Sequence, residues 1–170
     1  MKNSFDRQKA IEALIYVANK QHDLYAALKV FYFADKEHLR LYGRQMFNEV
    51  FNALDKGPIP STLYDYLKCV RGDGKIVFSE EVKKELHDSL TVAKKTVYAK
   101  RESKIEYLSK SELQCIDIGI SIVNEEKDFG NIKDRSHDAA YLKTRRNDRI
   151  KVEDIIDTLP NSEMIFEYLY

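Results

Sequence analysis

The chain has 170 residues, of which 44% are hydrophobic and 33% are charged, a balance that excludes a disordered chain. Its 28 basic and 28 acidic side chains cancel, so no net charge attracts it to nucleic acid. No apolar run approaches the length of a membrane span, and the first residues do not resemble a signal peptide. We therefore expect one domain over residues 1–170, located in the cytoplasm, with no membrane partner.

Two amphipathic helices are predicted first. Apolar residues recur at helical spacing from Phe5 to about Asn19. A second apolar stripe follows Asp23, a favourable N-cap residue, and continues to about Leu41. Gly43 is a natural end for this helix because glycine readily adopts the left-handed conformation of a helix C-terminus.

The next segment is less regular. Residues 45–54 contain aromatic and β-branched side chains and predict either an irregular strand pair or an extended loop. The run Gly57–Pro60 cannot continue a helix, because proline lacks an amide donor and restricts the residue before it. A helix is then predicted from Pro60 or Ser61 to Gly72.

Residues 80–100 allow two structures. Ser79 with the following acidic pair predicts a helix start, and a helix over 80–100 would bury an apolar face. The β-branched clusters at 91–92 and 96–97 favour a hairpin over about residues 89–100 instead. We favour the hairpin and keep the continuous helix as the alternative.

A capping box marks the start of the following helix. Ser109 and Glu112 have the spacing in which each side chain binds the other residue's backbone amide. Gly130-Asn131 is expected to break the chain after this helix.

Three short helices are predicted in the last third of the chain. Ser136 is expected to cap one that ends at Lys143, and two more are expected at about 152–158 and 162–169. The apolar segment 164–170 either docks on the core, which we favour, or presents an adhesive face to a partner. The predicted fold class is mainly α (α+β): a compact helical domain with a small antiparallel β-hairpin or sheet.

Motifs for catalysis are lacking, and we predict no enzyme activity, cofactor, metal site or catalytic residue. The one constellation to weigh is Asp35 with His38, three residues apart on a helix, together with the distant His137. These side chains could form a metal site or an acid–base pair in a small metal-dependent enzyme. The alternative, which we favour, is that they make hydrogen bonds that hold the helix in place.

A basic cluster near the C-terminus is the best local candidate for an acidic partner. It consists of Lys143, Arg145, Arg146, Arg149 and Lys151. A DNA-binding or prophage regulatory protein could use it, but nearby acidic residues dilute it. We therefore expect a solvated loop and consider nucleic acid an improbable partner.

Two stretches of the sequence resemble the SocA-like antitoxins built on the Panacea domain. Residues 28–39, with 42–44, are similar to the first signature of that family, and residues 56–65 are similar to its Gly-Pro-x-Pro element. Weaker similarities lie at 107–112 and 136–138, and Ala140-Tyr141 stands where the family usually has tryptophan. The motif residues, which we interpret as structural, are Tyr32, Asp35, Lys36, His38, Gly57, Pro58, Pro60, Ser61, Leu63 and Tyr64.

The resemblance implies an antitoxin of a type II-like toxin–antitoxin system, often associated with phages or mobile elements. Such a protein neutralises a cognate toxin by direct protein–protein binding or, as an adaptor, delivers the toxin to a cytoplasmic protease. The implied partners are therefore a toxin protein and, for an adaptor, a cytoplasmic protease. The resemblance does not identify the partner-binding residues, and we expect them outside the two motifs.

Overall fold

Helices dominate the structure, a computed structural model that describes residues 4–170. Within these residues there are nine α-helices: α1 (Arg7–Ala18), α2 (Leu24–Tyr42), α3 (Ser61–Arg71), α4 (Glu80–Ser89), α5 (Lys110–Glu125), α6 (Phe129–Ser136), α7 (Ala139–Lys143), α8 (Val152–Asp157) and α9 (Ser162–Leu169). The four strands are β1 (Phe51–Leu54), β2 (Gly57–Pro60), β3 (Leu90–Ala93) and β4 (Thr96–Ala99), and residues 105–107 form one 3₁₀ turn. The predicted mainly helical α+β class is confirmed.

Helix α2 forms the centre of the core. The Asp23 side chain caps it by accepting from the Ala26 amide at 2.8 Å, and Gly43 ends it with φ at 69°, as predicted. Its most extensive packing is along α5. Gly119 of α5 allows the close approach, since a Cβ there would lie 2.6 Å from the carbonyl oxygen of Val30.

Two antiparallel hairpins connect the helices. The hairpin β3–β4 pairs Leu90 with Ala99 and confirms the interpretation favoured for this region over a continuous helix. In the other hairpin, β1 pairs with β2 from Phe51–Pro60 to Leu54–Gly57. The Gly57–Pro60 run is therefore itself a strand, which the sequence did not indicate. Its prolines are tolerated because β2 has only one strand neighbour.

The helix break predicted at 130–131 and the helix start predicted at Ser136 were wrong, whereas the predicted helix end at Lys143 is confirmed. Gly130 and Asn131 lie inside α6, because Asp128 caps this helix by accepting from the Asn131 amide at 2.9 Å. Ser136 ends α6 rather than starting α7, and Asp138 is the N-cap of α7. A local capping carboxylate thus outweighed the breaking tendency of a single glycine.

The end of the chain docks on the core only in part. Helices α8 and α9 lie close to the predicted ranges, and Ile165 is buried. Met164, Tyr168 and Tyr170 remain exposed. Among residues 4–170, no helix is both long enough and apolar enough to cross a membrane.

Candidate functional site

The first motif places Asp35 and His38 against the loop that follows α2. The Asp35 carboxylate accepts from the Met46 amide at 2.8 Å and from the side-chain amide of Gln45 at 3.0 Å. His38 Nδ1 donates to the Arg44 carbonyl at 2.8 Å, since a carbonyl can only accept, and its Nε2 lies 3.0 Å from a serine hydroxyl. Burial raises the pKa of Asp35 to about 6 and lowers the pKa of His38 below its usual value. The hydrogen bonds of both side chains therefore hold residues 44–46 in place.

His137 belongs to a different part of the molecule. Its ring stacks on Tyr141, with 4.2 Å between the ring centroids. Its Nε2 atom is buried and has no hydrogen-bond partner among residues 4–170. Asp35 and His38 make no hydrogen bond with it, and the described residues contain no group of three or more His, Cys, Asp or Glu side chains that could hold a metal. The constellation considered as a metal or acid–base site is not assembled.

The structure instead assembles a second polar cluster, between α2 and the α6–α7 junction. Tyr32 donates its hydroxyl to Asp138 at 2.6 Å, and Lys36 pairs with the same carboxylate oxygen at 2.8 Å. Lys29, one turn earlier on α2, donates to the Pro58 carbonyl at 2.8 Å. Tyr32 and Lys36 were singled out as motif residues, whereas Lys29 and Asp138 lie within the stretches that resemble the family but were not singled out. The i, i+3, i+7 spacing of 29, 32 and 36 on one helix face was the available signal.

Lys29 is the most unusual group in this α2–α7 cluster. Its side chain is completely buried, with a relative exposure of 0%. Burial, together with the nearby charge of Lys133, lowers the pKa of its ammonium group to about 6, although the charge of Asp138 opposes this shift. A large fraction of Lys29 is therefore neutral at pH 7, which is rare for lysine.

The second motif surrounds the same lysine. Gly57 has φ of +98°, and a Cβ at this position would lie 2.4 Å from Lys29 Nζ and 2.7 Å from Ser136 Oγ. The backbone conformation therefore favours glycine, and a larger residue would also have to displace the Lys29 amine and the Ser136 hydroxyl. Pro58 supplies the carbonyl oxygen that Lys29 binds.

The remaining motif residues belong to the start of α3. Pro60 is its N-cap residue and makes no side-chain capping bond, so the buried carboxylate of Glu49 takes this role. It accepts from the amides of Thr62 at 3.2 Å and Leu63 at 3.0 Å. Leu63 is in the core, whereas Ser61 and Tyr64 are half-buried. These contacts position the start of α3.

The basic cluster is partly neutralised. Lys143 pairs with Asp154 at 3.0 Å, and Arg146 pairs with Asp55. The backbone on either side of Arg149 is joined to β1, for example through the Ile150 amide and the Phe51 carbonyl at 2.8 Å. All five basic side chains are exposed, as expected of a solvated loop, but the backbone of this loop is anchored to β1.

The family model described as antitoxin SocA-like, Panacea domain, matches residues 28–142, which is more than half of the chain. This range contains most of α2, both hairpins, the α2–α7 cluster and nearly all of α7, whereas α8 and α9 lie beyond it. No curated protein and no solved structure matches the chain.

Proposed function

The chain belongs to the SocA-like antitoxin family built on the Panacea domain, and from this membership we propose that it is the antitoxin of a toxin–antitoxin system. It neutralises a cognate toxin by binding it directly, in the manner of a type II system. The observation that carries the proposal is the family match over residues 28–142, which includes both motifs.

The contacts of the motif residues support a binding role over a catalytic one. Asp35 and His38 are buried and hydrogen-bonded to the loop at 44–46, so neither is available to a substrate. Tyr32 and Lys36 are engaged by Asp138. A scaffold held by such internal contacts leaves its exposed surfaces to make the specific interaction.

Delivery of the toxin to a protease is the second mode that the family allows, and it also begins with binding. Direct neutralisation leaves the toxin intact in a stable complex, whereas delivery shortens its lifetime. Association with a phage or prophage and a cytoplasmic location stay predictions of the same proposal.

Co-expression with the neighbouring genes tests the proposal. Each adjacent open reading frame is placed under an inducible promoter, with and without this chain, and growth is measured. We expect one product to arrest growth and this chain to restore it. The proposal fails if no adjacent product is toxic, or if every toxic product remains fully active in the presence of this chain.

The same strains separate the two modes. After synthesis is blocked, the toxin is followed by immunoblot in the presence of the chain. Direct neutralisation predicts a persistent toxin that co-purifies with the tagged antitoxin in about equal amounts. A toxin that disappears, and that is stabilised when the host's cytoplasmic proteases are deleted, would instead indicate delivery.

A further inference from the structure

An apolar groove lies between the end of α2 and the exposed face of α9. Met164 and Tyr168 are four residues apart and lie on one side of α9, with relative exposures of 68% and 75%. Leu41 and Tyr42 of α2 line the opposite side and are also exposed. Four large apolar or aromatic side chains therefore share one open surface, which we call the α2–α9 groove.

Specific contacts position α9 beside the end of α2. Gly43 has φ of +69°, and the Tyr168 ring lies so close that a Cβ at Gly43 would be 3.1 Å from its Cδ1 atom. The side-chain amide of Asn161 donates to the Arg40 carbonyl at 2.8 Å and ties the start of α9 to α2. Ile165, on the inner side of α9, is buried. The exposed residues of α9 are thus positioned by the core and are not a loose chain end.

Negative charge borders the groove. Residues 152–170 contain five acidic side chains and no lysine or arginine, and of the five only Asp154 forms an ion pair within residues 4–170, with Lys143. Glu163 and Glu167 are exposed on α9 and form a stripe beside Met164 and Tyr168. No basic side chain of residues 4–170 lies within ion-pair distance of either glutamate.

The surrounding groups do not cancel this charge. The C-terminal end of α2 adds the partial negative charge of the helix dipole. Arg40 is the basic residue of the lining, and its guanidinium is engaged by Glu37. The groove therefore combines apolar anchors with an acidic rim.

We propose that the α2–α9 groove is the toxin-binding surface, and that it takes a segment of the toxin whose apolar side chain is flanked by lysine or arginine. This inference rests on the proposed antitoxin function. Tyrosine and methionine are effective anchors in protein interfaces, and an acidic rim selects a basic partner through electrostatic complementarity.

The charge distribution disfavours a second copy of this chain as the occupant. In a two-fold symmetric dimer the same patch meets itself, so the negative charges of Glu163 and Glu167 in one copy would be brought near the same charges of the other copy. Like charges placed opposite each other oppose association. A basic partner would not meet this electrostatic repulsion.

The position of the groove relative to the family match agrees with this role. Leu41 and Tyr42 lie inside the matched range, whereas Met164 and Tyr168 lie beyond it. One wall thus belongs to the shared scaffold, and the other belongs to a part of the chain that the family model does not describe. A surface that selects one particular toxin is expected to include residues outside the shared family domain.

Methionine NMR of the full chain tests the chemistry of the groove without the toxin. The sequence has three methionines, and Met46, which is 3% exposed, is an internal control for the exposed Met164. The ¹³C-methyl-labelled chain is titrated with an amphipathic peptide of leucine and lysine, and with the same peptide carrying glutamate for lysine. We expect the Met164 signal to shift with the lysine peptide only, less at high salt, while the Met46 signal stays in place.

Variants link the groove to the toxin identified by co-expression. Met164→Asp with Tyr168→Asp is expected to weaken toxin binding at least about tenfold and to abolish growth rescue. The matched control is Ile76→Asp with Val77→Asp, since this pair is also exposed but lies in the loop between α3 and α4. Circular dichroism and thermal melting check that each variant is folded.

Charge reversal provides a second variant that leaves the apolar anchors intact. Glu163→Lys with Glu167→Lys is expected to slow association with the toxin severalfold at low salt and to reduce the salt dependence. Glu102→Lys with Glu106→Lys makes the same change in net charge at the 3₁₀ turn beside α1 and should have little effect.

The outcomes distinguish the two proposals. Normal rescue by both groove variants would overturn the inference while the antitoxin function stands. The two experiments can also disagree. If the Met164 signal shifts with the lysine peptide but the chain neutralises no neighbouring product, the groove binds basic segments and the antitoxin role is refuted. A Met164 signal that shifts equally with both peptides, with neither, or with the concentration of the chain alone would overturn the inference.

Discussion

The buried amine of Lys29 gives the sharpest test of the structure. We predict that Lys29→Met makes the protein more stable at neutral pH, because it replaces a buried ionisable group with an apolar one of similar length. The folded protein must release the lysine proton above about pH 6, whereas the unfolded chain keeps it up to about 10.5. Each pKa unit corresponds to about 1.4 kcal/mol, so at pH 7 the deprotonation costs about 5 kcal/mol.

Methionine also removes a favourable contact. The hydrogen bond from Lys29 to the Pro58 carbonyl is lost, and a carbonyl left without a partner costs about 1–3 kcal/mol. The net gain expected for Lys29→Met at pH 7 is therefore about 3 kcal/mol. Between pH 6 and 10.5 the unfolded chain binds one more proton at Lys29 than the folded protein does. Because raising the pH disfavours the state that binds more protons, Lys29 makes the free energy of unfolding of the wild type increase with pH over this range.

Urea unfolding at pH 6.5 and 8.5 measures the effect. The advantage of Lys29→Met over the wild type should shrink by about 3 kcal/mol between these two values, since the Lys29 contribution changes by about 1.4 kcal/mol per pH unit. The exposed Lys127→Met is the control, with no change in relative stability expected. An advantage that is equal at both pH values, or a variant less stable than the wild type at pH 6.5, would refute the assignment of a largely neutral buried amine.

Four further changes test the scaffold and the basic cluster. Gly57→Ala should lower the free energy of unfolding by at least about 1–2 kcal/mol, because the site has positive φ and a methyl group would displace the Lys29 amine; an unchanged free energy in urea unfolding would contradict the tight cluster. Asp35→Ala should cost about 2–3 kcal/mol by leaving the buried amide of Met46 without an acceptor, and an unchanged urea midpoint would argue against this contact. Glu112→Gln should cost about 3 kcal/mol at pH 7, and the cost should fall as the pH drops below about 4.5. Burial raises the pKa of this carboxyl, but bonds from lysine, arginine and the helix N-terminus together lower it, so the ionised form stabilises the fold. Arg145→Ala with Arg146→Ala should leave gel shifts with duplex DNA as flat as those of the wild type, and a salt-dependent shift lost in the variant would support the DNA-binding alternative.

Helix boundaries with local signals could be predicted from the sequence. The capping box of Ser109 and Glu112 forms as expected, and Asp23 and Gly43 cap the two ends of α2. These signals are reliable because the two groups of each hydrogen bond lie within four residues of each other. Where two local signals competed, at Gly130 and Ser136, the prediction failed.

The family motifs could be found in the sequence, but their contacts could not. Tyr32 and Lys36 reach Asp138, more than a hundred residues later in the chain, and no spacing rule relates such positions. Pro58 was interpreted as a helix breaker, and only pairing with β1 shows that it lies in a strand.

The sequence by itself determined the helical class, the capped ends of α2, the β3–β4 hairpin and the family, because each depends on neighbouring residues or on a short motif. The tertiary structure alone decided that Lys29 is buried and that α9 keeps Met164 and Tyr168 exposed beside the end of α2. Burial depends on which elements cover a residue, and that depends on packing between segments far apart in the chain. For this reason the candidate toxin-binding surface became visible only in the folded protein.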